Sequence, residues 1–477
     1  MRGSPELLQL LRKYAGALPP DLAPQAADVA RCLQGTPLST SFLQEKVRPP
    51  EGYTLTHYSA PEAGASRDLM SDVCRLELHW EAGAGAGAAG GPAPPRSVFY
   101  KRIVMGDLAH ARLKAKTAPK KLARDVRSYT VENAFLGSRA CQALVDAGIP
   151  VARAFSVEMA PCVDDPIESR FALLLEDFAP GDGWGQHRLL NADQAKATLS
   201  AFAKLHGFFW DNSAFWRAGG AAAEELEAAV WPSGGYWQPA MQPAEQMDEV
   251  AAMWDRHRAS FGAAFEAAGE LEGVDLATLG ERLQSVAREV GAAAHPFSAT
   301  DRHGRPAAPS AAGRTLLHGD GKSANIFLRG AGGDVQVGLI DFQWAGFGLA
   351  ATEVAHHIFA ALDMDCLSYD GSAERDMLDF YYDELLRALV EFGAAGGPEE
   401  AAALLPREAL QEQYETAVLD MCRVVFAYHW VRIKASPDTL AKNAASLGRN
   451  SYNKSLPHAL WVVRTCHDLL AARGAEA

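Results

Sequence analysis

In "VCRLELHW" at 73–80, apolar and polar side chains alternate, with Cys74, Leu76, Leu78 and Trp80 on one face and Arg75, Glu77 and His79 on the other. A period of two predicts a half-buried strand. The next segment, "EAGAGAGAAGGPAPP" at 81–95, has almost no side chain to bury and cannot offset its own ordering entropy, so it is expected to be a disordered loop. A second strand, "SVFYKRIVM" at 97–105, follows it. The two read as an antiparallel hairpin whose connection has been lengthened, which loop-closure entropy penalises only weakly. Residues 121–147 turn to helical spacing and are expected to form one helix, stopped by Gly148 and Pro150. "RFALLLEDF" at 170–178 adds a further strand. The pattern up to this point is a small sheet with one main helix.

Beyond residue 180 the periodicity is helical. Asn191 and Gln194 have the spacing of a capping box, and Leu199, Phe202, Leu205 and Phe209 recur at helical intervals behind them. Residues 211–310 are Ala-rich with scattered Trp and predict helices joined by disordered turns such as "SATDRHGRPAAPSAAGR". From 350 to the end the pattern is helical again, strongly apolar on one side in "YETAVLDMCRVVFAYHWVRI". At the other end, Leu7, Leu8, Leu10 and Leu11 predict a short amphipathic helix. One stretch interrupts this helical half. In "LLHGDGKSANIFLRGAGGDVQVGLIDFQWAG" at 316–346, "NIFL" and "VQVGLIDF" read as strands and "RGAGGD" as the glycine-rich reversal between them.

Composition narrows the class without changing this outline. The 477 residues are 48% hydrophobic and 22% charged, the balance of a globular protein, and no apolar run approaches the roughly 18 residues of a membrane span. A net charge of −14 argues against a nucleic-acid partner. The basic cluster "RLKAKTAPKKLAR" at 112–124 reads as a solvated helix entry. Seven scattered cysteines suit reduced thiols in a cytosol-like compartment. The N-terminus lacks the unbroken apolar core of a secretory signal and carries Glu6, Asp21 and Asp28, unlike a transit peptide, so a cytoplasmic location is expected.

The interrupted stretch also holds the candidate chemistry. Folding back at "RGAGGD" returns Asp341, at the end of the second strand, to the neighbourhood of Asn325 at the start of the first, with Asp320 one loop away. Two oxygen ligands, Asn325 and Asp341, suit a Mg²⁺ that keeps several waters and takes its other ligands from substrate phosphates. Asp320 is then free to accept or orient the proton of an attacking hydroxyl. Such an arrangement serves phosphoryl transfer, which needs positioning and charge neutralisation more than a protein nucleophile.

"HGDGKSAN…IDFQ", with His318, Asp320, Asn325 and Asp341, resembles the catalytic and metal-binding segments of the aminoglycoside phosphotransferase and choline kinase-like superfamily, including its ecdysteroid kinase-like branch. The resemblance spans roughly residues 65–360. It implies an α+β, bilobal protein-kinase-like fold with a small antiparallel-sheet N-lobe and a larger, mostly helical C-lobe. The domains are then 1–45 as a helical extension, 46–177 as the nucleotide-binding N-lobe and 178–477 as the C-lobe. It further implies ATP and Mg²⁺ as cofactors and a small-molecule alcohol as acceptor. Such a small lobe requires a strand lysine that grips phosphates and a helix glutamate that holds it. Lys101, mid-strand beside Phe99 and Ile103, and Glu132, one turn from Tyr129 and from Phe135 and Leu136, fit these places, with Asp125 a poorer substitute for the glutamate. Backbone groups from Leu175 through Glu176 to Asp177 would meet the adenine ring.

The sequence also departs from the family. No clean Gly-x-Gly-x-x-Gly is present, so the phosphate-covering turn falls near "EAGASRDLMSD" at 62–72. Lys322 matches the lysine that neutralises the transferred phosphate in protein kinases, where small-molecule kinases often carry His or an aromatic. Glu353 occupies a place where relatives commonly carry an Asp that braces the catalytic loop. No Arg stands between His318 and Asp320, and no Ala-Pro-Glu follows Asp341, so a protein acceptor is disfavoured. Trp344, Tyr428, His429 and Trp430 are candidate walls of the acceptor pocket. Two alternatives remain: a catalytically silent nucleotide-binding scaffold, and a metallohydrolase using His318, Asp320, Asp341, His356 and His357. Adjacent His356 and His357 diverge by about 100° on a helix, so at most one could join such a cluster.

Overall fold

A computed structural model describes residues 25–67, 71–83, 93–106, 119–162, 164–243, 245–298, 313–445 and 454–476. The helix expected near Leu7, most of the basic cluster, the centre of the Gly/Ala loop, the tip of the phosphate-covering turn and nearly all of "SATDRHGRPAAPSAAGR" lie outside these residues. The chain forms two compact units, residues 1–145 with 151–182, and residues 146–150 with 183–477. No helix among the described residues is long and apolar enough to cross a membrane.

The first unit is built on an antiparallel sheet of β1 (Tyr53–Ser59), β2 (Ser66–Arg67), β3 (Asp72–Ala82), β4 (Ser97–Val104), β5 (Ala154–Ala160) and β6 (Arg170–Glu176). The strand order is β1-β3-β4-β6-β5, with the two-residue β2 paired to the start of β3. The alternation read in "VCRLELHW" is real. Cys74, Leu76 and Leu78 are buried and pack with Val98, Tyr100 and Leu174. Against that layer lies α1 (Thr40–Val47), contributing Leu43 and Val47. The opposite face of β4 and β6 presents Ile103 and Phe171 to Leu122, Val126 and Tyr129 of α2 (Pro119–Leu136).

The helix expected over 121–147 is two helices. After α2 the chain breaks at Gly137 and Ser138 and restarts as α3 (Arg139–Asp146). The Ser138 hydroxyl causes the restart, accepting from the Cys141 amide at 3.1 Å while donating to the Phe135 carbonyl at 2.7 Å, so it serves the end of one helix and the start of the next. The sequence signal was present in "LGSRA" but was overridden by the apolar period on either side.

The second unit is mostly helical. The predicted capping box opens α4 (Ala192–Phe208), with both reciprocal bonds between Asn191 and Gln194 formed. Its longer helices include α5 (Leu279–Ala294), α6 (Ala350–Ala361), α7 (Ser372–Glu391), α8 (Arg407–Val424) and α9 (Leu456–Glu476). After α8 the helix widens into a π-turn at Val425–His429. Two small ladders interrupt the helices. Strands β7 (Arg314–Leu317) and β10 (Gly346–Leu349) pair with each other, as do β8 (Ile326–Arg329) and β9 (Gln336–Leu339). The α+β architecture with a small antiparallel sheet and a larger helical part is therefore as expected. All seven cysteines are free.

Candidate functional site

In the first unit, β4 presents Lys101 to α2. Its Nζ donates to both carboxylate oxygens of Glu132, at 2.9 and 2.8 Å, with the side chains 10% and 1% exposed. An ammonium so buried needs a counter-charge, and Glu132 supplies it. Asp125, the poorer candidate, lies 3.6 Å from Arg124 instead.

At the end of β6, the Glu176 amide donates to the Arg153 carbonyl at 2.8 Å and its carboxylate accepts from the Arg153 amide at 3.3 Å. The Asp177 carboxylate takes Arg75 Nε at 2.5 Å, Arg75 Nη2 at 3.0 Å and the Ser97 hydroxyl at 2.6 Å. The Asp177 side chain is thus engaged within the unit, whereas Glu176 is exposed. In the segment proposed to cover phosphates, Glu62 accepts from the Ala26 amide through both oxygens, at 3.2 and 3.1 Å.

The second unit gathers the remaining residues around one buried loop, Leu317 to Asn325. The β8–β9 hairpin pairs Ile326 with Leu339, and the Ile340 amide continues the ladder by donating to the Asn325 carbonyl at 3.1 Å. On its other side, the Ile340 carbonyl accepts from His318 Nε2 at 2.8 Å. Ile340 is therefore pinned at both ends of its peptide, and Asp341 is held next to Asn325 as the hairpin requires. At Asp341 the backbone has φ +67°, a left-handed conformation few non-glycine residues adopt. Strain of this kind persists where the surroundings impose it and is concentrated at functional sites.

His318 has a second task. Its Nε2 donates to a carbonyl, so Nδ1 is the acceptor, and it takes the Asp320 amide at 3.2 Å. The loop is braced from below by Glu353 on α6, whose oxygens accept from the His318 amide at 2.6 Å and the Gly319 amide at 2.7 Å. Glu353 therefore braces the catalytic-loop candidate from α6. Burial alone would raise the Glu353 carboxyl; the bond from His206 at 3.2 Å and those amides outweigh it and hold its pKa below the ordinary value.

Asp320 is the centre of the loop. Its Oδ2 accepts from Lys322 Nζ at 2.5 Å and from Asn325 Nδ2 at 3.1 Å, while the same Asn325 nitrogen donates to the Asp320 carbonyl at 2.9 Å. With Nδ2 so engaged, the Asn325 amide oxygen is its remaining ligand atom. Burial raises the Asp320 pKa, and the neighbouring Asp341 charge adds to that against the opposing pull of Lys322. The other oxygen, Oδ1, is buried without a hydrogen-bond partner. Buried acceptors are rarely left so, and the exceptions call for a role.

Beneath the loop lies a floor of Phe202 and His206 of α4, Tyr381 of α7, and His356 and His357 of α6. His206 and Tyr381 carry no signal in the sequence, because helical periodicity marks such positions only as core. His206 bonds Tyr381 at 2.6 Å as well as Glu353. His357 Nδ1 donates to the Gly321 carbonyl at 2.7 Å, and His356 stacks on Trp237 with centroids 3.9 Å apart. The two histidines thus serve different contacts. Among the described residues no group of three or more His, Cys, Asp or Glu is placed to hold a metal. Of the aromatic candidates, Trp344 is half-buried and stacks on Trp231, and His429 approaches the Tyr236 hydroxyl at 3.4 Å. Tyr428 is half-buried beside Arg432. Trp430 is instead a core residue, 2% exposed against Phe261 and Phe426.

Residues 116–404, more than half of the chain, match the sequence model of the APH phosphotransferase enzyme family. No curated protein matches the chain at a significant level. Among solved structures, the chain is similar to a putative aminoglycoside phosphotransferase from Ralstonia eutropha, at 11% identity, 90% coverage of this chain and 97% of that one, with a TM-score of 0.39. It is also similar to a microcompartment-associated aminopropanol kinase, at 12% identity, 88% and 96% coverage and a TM-score of 0.40. For a choline kinase from Cryptosporidium parvum the figures are 9%, 88% and 91%, and 0.39.

Proposed function

The chain belongs to the phosphotransferase enzyme family, and on that premise we propose that it is an ATP- and Mg²⁺-dependent kinase acting on a hydroxyl group of a small molecule, with Asp320 as catalytic base. The observation that carries this reading is the state of the Asp320 carboxylate, one oxygen fixed by Lys322 and Asn325 and the other buried with its acceptor capacity unused. A carboxylate so fixed can orient a hydroxyl and take its proton as the new O–P bond forms.

The other roles follow residue by residue. In the nucleotide-binding part, taken as 46–177, Lys101 would bind the α- and β-phosphates, held in place by Glu132, with backbone groups near Glu176 and Asp177 meeting the base. In the catalytic part, 178–477, the Asn325 amide oxygen and the Asp341 carboxylate form a hard, all-oxygen pair that fits Mg²⁺. When bound, the ion neutralises charge on the transferring phosphate. Lys322, already bonded to Asp320, would steady that phosphate as it transfers.

The separation of roles is testable by titration calorimetry with ATP. Wild-type protein is expected to bind ATP more tightly with Mg²⁺ than without, Asp341→Ala to lose that difference, and Asp320→Ala to keep it. Equal Mg²⁺ dependence in wild type and Asp341→Ala would refute the metal assignment.

A further inference from the structure

Tyr381 is fully buried on α7 and has no part in the roles above. Its hydroxyl has one hydrogen-bond partner among the described residues, His206 Nδ1 on α4, at 2.6 Å. The residue after that histidine makes the approach possible. A Cβ on Gly207 would lie 2.6 Å from the Cβ of Ala388, two turns along α7 from Tyr381, so the glycine lets the two helices close on each other. From His206 the contacts run on to the loop. Nε2 meets Glu353 Oε2 at 3.2 Å, the His206 carbonyl accepts from the Thr315 hydroxyl at 2.7 Å, and Glu353 in turn holds the His318 and Gly319 amides.

Counting hydrogens fixes the direction of these bonds. Burial, with the Glu353 charge adding to it, pushes the Tyr381 phenol well above its ordinary pKa, so the hydroxyl keeps its proton. If His206 Nδ1 carried a hydrogen as well, the phenol hydrogen would be buried without an acceptor, at the full cost of its desolvation. Nδ1 is therefore the acceptor, and the ring hydrogen stands on Nε2, where it donates to Glu353. The opposite tautomer would turn the Nε2 lone pair against a carboxylate oxygen. We propose that Tyr381 is a positioning residue for phosphoryl transfer: its hydroxyl selects the His206 tautomer, and so keeps on Glu353 the third donor that fixes this carboxylate beneath the His318–Asp320 turn. The proposal rests on the kinase reading above and extends it to a residue that touches neither substrate nor metal. Without the hydroxyl both tautomers compete, and in one of them Glu353 is repelled where it was held. The turn then has more than one setting, whereas the reaction requires Asp320 in a single one.

Hydrogen exchange at the His318 and Gly319 amides tests this without any acceptor. In the full-length protein, Tyr381→Phe is expected to speed their exchange by about tenfold, the scale of one lost hydrogen bond. His206→Gln supplies a donor nitrogen near the place of Nε2 and has no tautomer to select. Adding Tyr381→Phe to that variant is therefore expected to change exchange by less than about twofold, a non-additivity that marks the two residues as one unit. ADP release from ATP, with water as the only acceptor, is expected to show the same pattern in kcat with KM for ATP unchanged. A Tyr381 that merely filled space would give the same loss in both backgrounds. Equal losses, or wild-type exchange in Tyr381→Phe, would overturn the proposal. The underlying kinase reading fails separately, by Asp320→Asn releasing ADP as fast as wild type.

Discussion

Lys101 and Glu132 show what one buried pair demands. Replacing Glu132 by Gln takes away the carboxylate that holds the ammonium, in a site where it is 10% exposed. Loss of one partner of a buried pair is expected to cost about 3 kcal/mol or more, read as a lowered midpoint in chemical denaturation. Lys101→Met leaves the Glu132 carboxylate, 1% exposed, without its lysine, so a comparable loss of stability is expected, together with weakened ATP binding. Both residues were legible in sequence because an unpaired charge at an apolar period of a strand or a helix is improbable by itself. Asp320, Asn325 and Asp341 were legible for a different reason, their spacing around a glycine-rich reversal. His206 and Tyr381 were not, since each sits at a helix position where a buried residue is ordinary, and only packing discloses that they meet each other.

Among the elements, the loop from His318 to Asn325 depends on backbone that no side chain could enter. Gly319 has φ +79°, and a Cβ there would lie 2.0 Å from the Trp344 carbonyl oxygen, while its amide serves Glu353. Gly319→Ala is therefore expected to destabilise the protein by more than about 3 kcal/mol and to abolish turnover. A thermal melt alongside an activity assay checks both effects, and a variant as stable as wild type would show the loop free to shift. Strand alternation, the capping box and the β8–β9 hairpin could be read from sequence because each is specified locally. The division of α2 from α3 could not, since a single serine bridging two helix ends competes poorly with apolar periodicity around it. The π-turn at Val425–His429 has no sequence signature, and it changes which aromatics face the core: Trp430 points inward against Phe426 and Phe261.

Across the whole molecule, buried ionic clusters tie the helical unit together and set its response to acid. Asp420 on α8 is 1% exposed and is held by Arg423 at 2.7 Å and by His295 at 3.3 Å. Burial would raise its pKa, but the Arg423 charge and the bond from His295 prevail and bring it down to about 2. A carboxyl depressed on folding stabilises the native state above its unfolded pKa and loses that contribution as pH falls through the folded one. The stability difference between wild type and Asp420→Asn is thus expected to be of order 2 kcal/mol near neutrality and to shrink between about pH 4 and pH 2. Urea unfolding across that range checks the sign, and a difference that grew towards acid would reverse it. The most direct test of the account as a whole is ³¹P NMR of the protein with ATP, Mg²⁺ and a panel of amino alcohols, sugars and sterols. A phosphomonoester signal that requires Mg²⁺ and forms at least about a hundredfold more slowly in Asp320→Ala is the predicted result. Product formed by Asp320→Ala at the wild-type rate would contradict it.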